Sequence, residues 1–408
     1  DGGIIIFGID EKDNFAIKGV YDAQDLQKKV TEQCKQILQK LVQINTCQPE
    51  GNEGKLADVI LEMLPENIVY KKINHSKTRA SLIIKVNGET EEGGIAFVGH
   101  MDTVACGDYS QWSYPPHDAI VKGDILYGRG SADMKGGDAA MILALKWMLE
   151  TKKRPKKSIY FCFTADEESK GSGICGILED GMVNKVDEII ICEPSDEKIG
   201  TCEKGAFWLK ITVQGKQSHA SRPDLGINAV EYVEKLVAEL KEQVETGEVH
   251  PILGTTTASV TKLCGGIMTN IIPPTAEAEL DIRTVPGVSH EHILKCTEEI
   301  ADRFRKEMPG IQITVEVMND RPALETSKDS PLVKQIMKTA QMVGISTEDK
   351  GHYFYTDASQ IIPEISVPFV IAGPGDDALA HCINEHISLE SVRRYAKLYQ
   401  KYLEKYYL

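Results

Sequence analysis

The middle of the chain alternates short apolar runs with a helical apolar stretch. Residues 95–98, 158–163 and 188–192 are mostly uncharged β-type runs, as strands covered on both faces require. Between the first two, residues 137–149 are apolar enough for a helix packed on such a sheet, so the pattern predicts α/β architecture. The style changes near Gly205. Phe207, Leu209, Ile211 and Val213 alternate with Trp208, Lys210, Thr212 and Gln214, the pattern of a strand with one covered face. Val230, Val233, Val237, Leu240 and Val244 then follow helical spacing and stop at Gly247, and alternation returns over 277–283 and 312–317. Residues 204–317 therefore read as a smaller α+β insert. The α/β style resumes with a helix start at Ser330-Pro331, ahead of Val333, Ile336, Met337 and Ala340, and a closing helix over 388–403. The expected organisation is a mixed-sheet domain flanked by helices, residues 35–203 and 318–408, interrupted by the insert. No internal repeat is visible.

Composition narrows the function. At 408 residues the chain exceeds the roughly 250–300 that one hydrophobic core supports, which agrees with two domains. With 46 Lys and Arg against 61 Asp and Glu, the formal charge is −15, which disfavours nucleic acid as a partner. No stretch approaches the roughly 20 apolar residues of a membrane span; the richest, 139–149, contains Lys146. The first residues lack a basic region and a long apolar run, so no secretory signal is expected. The 10 cysteines show no Cys-x-x-Cys spacing, and reduced buried thiols in a cytoplasmic protein are the expectation.

The chemistry concentrates where strands are predicted to end. His100, in Gly99-His100-Met101-Asp102-Thr103-Val104, follows the first run, at the edge where open α/β sheets hold ligands. Asp102 is placed to reach its imidazole. Asp133 lies in a glycine-rich loop over residues 127–137, Glu167 and Glu168 follow Thr164-Ala165-Asp166, and Glu193 follows Cys192. Four predicted strand ends thus carry His, Asp, Glu-Glu and Glu, donor types that suit Zn²⁺, Mn²⁺ or Co²⁺. Any one of these carboxylates alone reads as a solvated loop residue. Clustered, they repel one another and call for a cation. Other catalytic templates fail: there is no Gly-x-Ser-x-Gly elbow, P-loop or His-Glu-x-x-His helix.

In order, these motifs, with residues 215–223 around His219 and 373–385 around His381, resemble the M20 metallohydrolases over about residues 37–408. The likeness is to the acetylornithine deacetylase and succinyl-diaminopimelate desuccinylase branch. It implies a two-metal α/β domain with an inserted lid through which many members dimerise. Carried over by residue, His100 and Glu193 would bind one divalent ion, Glu168 and His381 the other, and Asp133 would bridge them. Zinc is the first expectation, with cobalt or manganese as alternatives. Asp102 would support His100, and Glu167 would be the general base toward the metal-bridging water. His219 would stabilise the oxyanion, often from the partner subunit, while Asn270, Arg283 and Thr356 would face the substrate. Cys382 departs from the branch, where glutamine often follows the last metal histidine; this bears on acyl preference.

The resemblance implies a cytoplasmic homodimer that removes the acyl group from an N-acyl amino acid. A dipeptidase or aminopeptidase of the same family is the alternative. Residues 1–34 read as an N-terminal extension, with a short likeness to a fragment of AlbA/Schlafen-type domains. A nucleic-acid-binding regulator with a vestigial hydrolase body is the remaining reading; the full donor set and the net charge oppose it.

Overall fold

The computed structural model describes residues 9–10, 16–17, 23–245, 247 and 249–408. The AlbA/Schlafen-like stretch lies largely outside the described residues. Its neighbour, the helix Ala23–Gln43, runs without interruption across residue 34, and Cys34 is buried in the main core.

A nine-stranded mixed sheet forms the body. Its order is Leu324–Glu325, Ile199–Glu203, Phe369–Gly373, Glu188–Pro194, Thr90–His100, Lys157–Thr164, Ala80–Val86 and Val69–Asn74, with Asp349–His352 also paired to Ile199–Glu203. The central four strands, from Phe369–Gly373 to Lys157–Thr164, are parallel, and antiparallel pairs flank them. Successive residues of these strands face opposite cores. Ile95, Phe97, Phe161 and Ile190 point to one that includes residues of Ala23–Gln43, Gly136–Thr151, Pro331–Val343 and Leu389–Tyr406. Ala96, Val98, Tyr160 and Ile189 point to the other, under Ser172–Asp180 and Ala358–Ile365. Coverage on both faces is why the strands read as apolar runs rather than alternating ones.

The helix starts follow local chemistry. Ser330 caps the helix after it by accepting a hydrogen bond from the Val333 N–H, Pro331 occupies its first turn, and Gly344 ends it at φ 78°. At the start of Gly136–Thr151, a Cβ on Gly137 would lie 2.1 Å from the Cys192 carbonyl oxygen. Only glycine lets this helix press against the strand that carries Glu193.

The insert has its own core. Strands Thr257–Gly265, Thr275–Arg283, Ala206–Gln214 and Gln312–Arg321 form an antiparallel sheet with helices Ala229–Glu245 and His290–Glu307 on one face. Burial alternates along Ala206–Gln214 as its pattern predicts. Gln312–Arg321 continues past residue 317 back toward the body. No helix among the described residues is long and apolar enough to cross a membrane.

Candidate metal centre

The four parallel strands end side by side, and the charged residues sit at or beyond those ends. His100 closes its strand, and Glu193 stands one residue before the end of Glu188–Pro194. Glu167 and Glu168 occupy the turn after Lys157–Thr164, and His381 follows Phe369–Gly373. Asp133 arrives by another route. It lies not at an end of the large sheet but in the turn between Ile125–Tyr127, a strand of a separate three-stranded sheet, and Gly136–Thr151. The fourth parallel strand end serves His381 instead.

Glu385 explains how that turn is held. Its buried carboxylate accepts hydrogen bonds from the N–H groups of Gly130 at 2.9 Å, Ala132 at 2.8 Å and Asp133 at 3.0 Å, and from Arg129 Nη1 at 2.7 Å. Four donors on one carboxylate fix the backbone from which Asp133 projects.

The five expected donors converge. Asp133 stands between two imidazoles, its Oδ1 3.1 Å from His100 Nε2 and its Oδ2 3.3 Å from His381 Nε2. Glu193 Oε1 lies 3.3 Å from His100 Nε2, and Glu168 Oε2 3.0 Å from His381 Nε2. Ligands about 2.1 Å from one tetrahedral ion stand about 3.4 Å apart, so these spacings fit a divalent cation on each side of Asp133. The His100 Nδ1 is 3.0 Å from the Asp102 carbonyl oxygen, and donation there leaves Nε2 to face Asp133 and Glu193.

The Asp102 carboxylate is 3.7 Å from that ring nitrogen and has other partners. It accepts from the N–H groups of Glu167 at 3.1 Å and Glu168 at 3.0 Å, and from Gln48 Nε2 at 2.8 Å. Asp102 thus shapes the turn that carries both glutamates.

The electrostatics show an excess of negative charge. Burial opposes a charged His100, yet Glu193 and Asp133 hold its pKa well above the ordinary value. Hydrogen bonds to Asp133 and Glu168 raise His381 to about 10. Burial pushes Glu193 up to about 7. Burial, reinforced by nearby carboxylates including Asp357 and Glu193, lifts Glu167 well above the usual carboxylate range against the pull of His100.

These groups line a cavity of about 350 Å³ whose other walls include Val104, Trp208, Arg283, Phe354 and Tyr355. Trp208 and Arg283 come from strands of the insert, so the insert roofs the cleft. Three expected site residues are elsewhere. His219 is exposed, its Nδ1 accepting from the Ser221 N–H and 2.8 Å from the Ser221 Oγ. Asn270 is exposed beside it, its carbonyl accepting from the Ala220 N–H at 2.9 Å. Thr356 is buried and donates to Glu203 Oε2 at 2.8 Å, while its neighbour Tyr355 faces the cleft. Sequence reasoning missed Gln48, Glu385 and Trp208, and in the turn over residues 355–358 it chose Thr356 rather than Tyr355. Of the three missed, only Glu385 had a signal, a carboxylate four residues beyond His381.

A parallel-centred sheet with imidazoles and carboxylates gathered at its strand ends, under an antiparallel roof, defines a metal-dependent hydrolase. The chain belongs to peptidase family M20/M25/M40, whose profile matches residues 96–405. It is 26% identical over 402 residues to a probable succinyl-diaminopimelate desuccinylase of Staphylococcus epidermidis, covering 90% of this chain and 97% of that protein. Its fold is shared with the aminopeptidase PepT of Bacillus cereus, at TM-score 0.76 and 20% identity, covering 92% and 98% of the two chains. It is shared also with the YXEP protein of Bacillus subtilis, described as a dinuclear metal binding peptidase, at TM-score 0.70 and 18% identity over 92% and 98%. Membership makes the chain a hydrolase of C–N bonds.

Proposed function

We propose that the protein hydrolyses the amide bond of an N-acyl amino acid, in the cytoplasm, with two divalent ions held by His100, Glu193, Asp133, Glu168 and His381. Zn²⁺ suits this donor set first, and Co²⁺ or Mn²⁺ can take its place. The observation that carries the reading is Asp133 between the two imidazoles, with a further carboxylate, Glu167, facing the same cavity. When bound, two such ions acidify a shared water and polarise the scissile carbonyl.

The chain's own residues do the rest. Glu167 takes one proton from the attacking water, whose oxygen bonds to the carbonyl carbon. As the C–N bond breaks, Glu167 returns that proton to the leaving nitrogen, so an acid and an amine depart. Burial and neighbouring carboxylates raise the pKa of Glu167, the direction that makes a carboxylate a better proton acceptor. Arg283, which lines the cleft from the roof and is paired with Asp281, binds the substrate carboxylate in this reading. The desuccinylase relative supports an acyl amino acid as substrate.

A second copy completes the proposal. The edge strand Thr257–Gly265 leaves Val260 and Leu263 exposed, with Ile267 and Met268 just beyond, an apolar rim suited to a homodimer through the insert. His219 and Asn270, which do not line the cleft of their own chain, then serve the cleft of the other copy, His219 as an oxyanion donor.

A dipeptidase or aminopeptidase uses the same hydrolytic groups with a different pocket. A turnover screen of N-acyl amino acids and dipeptides, with metal analysis of the same sample, decides between them. Amine release from N-acyl amino acids supports the deacylase reading. Cleavage of dipeptides alone overturns it.

A further inference from the structure

Outside the hydrolytic donors, Cys47, Cys106 and His117 meet from three separate segments. The two Sγ atoms are 3.5 Å apart, and His117 Nε2 is 3.5 Å from Cys106 Sγ and 3.8 Å from Cys47 Sγ. Ligands at about 2.3 Å for sulfur and 2.0–2.1 Å for nitrogen around one tetrahedral ion give S···S near 3.8 Å and S···N near 3.5 Å. The triangle therefore matches one face of such a tetrahedron. A disulfide, by contrast, needs its sulfurs about 2.05 Å apart.

The surroundings favour a soft cation. Both cysteines are buried, and Trp112 packs with them while its indole N–H donates to the Cys106 carbonyl at 2.9 Å. His117 Nδ1 is buried with no hydrogen-bond partner, so the polar contacts of this ring go to the two sulfurs. The hydrogen bond between the two thiols, with that of His117, lowers the pKa of Cys47 despite its burial and raises that of Cys106.

We propose that Cys47, Cys106 and His117 form a cation site separate from the hydrolytic donors. It takes Zn²⁺ or a similar thiophilic divalent ion through two thiolates and one imidazole, and its fourth position is open to a water. Binding releases whatever protons the two thiols still carry, leaving no net charge on the ion and its two thiolates. The site ties together the loop segments that carry Cys47, Cys106 and His117. Thr46 and Gln48 already exchange backbone hydrogen bonds with Thr103, and the Gln48 side chain donates to Asp102. A bound ion would brace the segment that sets the turn of Glu167 and Glu168.

The test is Co²⁺ loading of the full chain after chelation, under reducing conditions, followed by absorption spectroscopy and zinc analysis of a zinc-loaded sample. The hydrolytic donors contain no sulfur, so a thiolate-to-cobalt charge-transfer band that depends on Cys47 and Cys106 reports this site. The expected result is that band saturating at one ion per chain, abolished in Cys47→Ser and in Cys106→Ser, with one zinc fewer in each variant. His117→Ala should keep a weakened band, and it guards against a serine variant that fails to fold. Absence of the band at saturating Co²⁺ in the wild-type chain overturns the proposal. So does a mass two hydrogens lower in the isolated protein that maps to a Cys47–Cys106 disulfide.

Discussion

From Gly93 to His100 every residue of the central strand is buried, whereas burial alternates residue by residue along Ala206–Gln214 in the insert. The body's four central strands are covered on both faces and carry charge only near their ends. The insert's sheet keeps one face open, and from it Trp208 and Arg283 reach over the cleft. Under the proposed function the comparison divides the labour: groups that must stay fixed relative to one another stand on the body, and groups proposed to meet the substrate hang from the roof. Substitutions in the two regions should therefore fail in different ways.

The largest effect belongs to the body. Glu167→Gln should lower kcat by about 10²–10⁴-fold while bound metal is retained, checked by steady-state kinetics with metal analysis. Glu168→Ala or His381→Ala, by removing a donor, should lose metal as well as turnover. Glu385→Ala would leave the buried Arg129 unpaired and three N–H groups without an acceptor, and denaturant unfolding should show about 3–5 kcal/mol of lost stability. On the roof, Arg283→Ala should raise KM about 10–100-fold with stability little changed, the loss of one charge-assisted contact. The smallest effect on stability is expected for Leu263→Lys on the exposed edge strand, within about 0.5 kcal/mol for the single chain. Sedimentation should nonetheless show the proposed homodimer of the unsubstituted chain replaced by a monomer. If Arg283→Ala removed metal, or Glu167→Gln changed only KM, the division between body and roof would fail.

Much of this was legible in the sequence, for a physical reason. Residue type at the predicted strand ends pointed to His100, Asp133, the Glu167–Glu168 pair and Glu193, and the likeness to M20 hydrolases implied the rest, His381 and the choice of Glu168 as donor, before any contact was known. Which strand end carries which donor was less legible: Asp133 follows a strand of a small separate sheet, because the turn over residues 131–135 is held by Glu385 rather than by the large sheet. Gln48 and the Cys47–Cys106–His117 cluster had no signal, since they fall in none of the motifs and are brought together only by the fold. Thr356 illustrates the converse. Its motif was visible, yet the hydroxyl turns inward to Glu203 and Tyr355 takes the place beside the cleft. The edge strand Thr257–Gly265 escaped notice because almost all of its residues are exposed, leaving no alternation to read.

The central claim is that two ions share the Asp133 carboxylate, and anomalous diffraction at the zinc edge from crystals of the zinc-loaded protein tests it most directly. The account predicts two peaks about 3.5–4 Å apart, one on the His100 side of Asp133 and one on the His381 side. A cleft with no peak within bonding distance of either imidazole would contradict it.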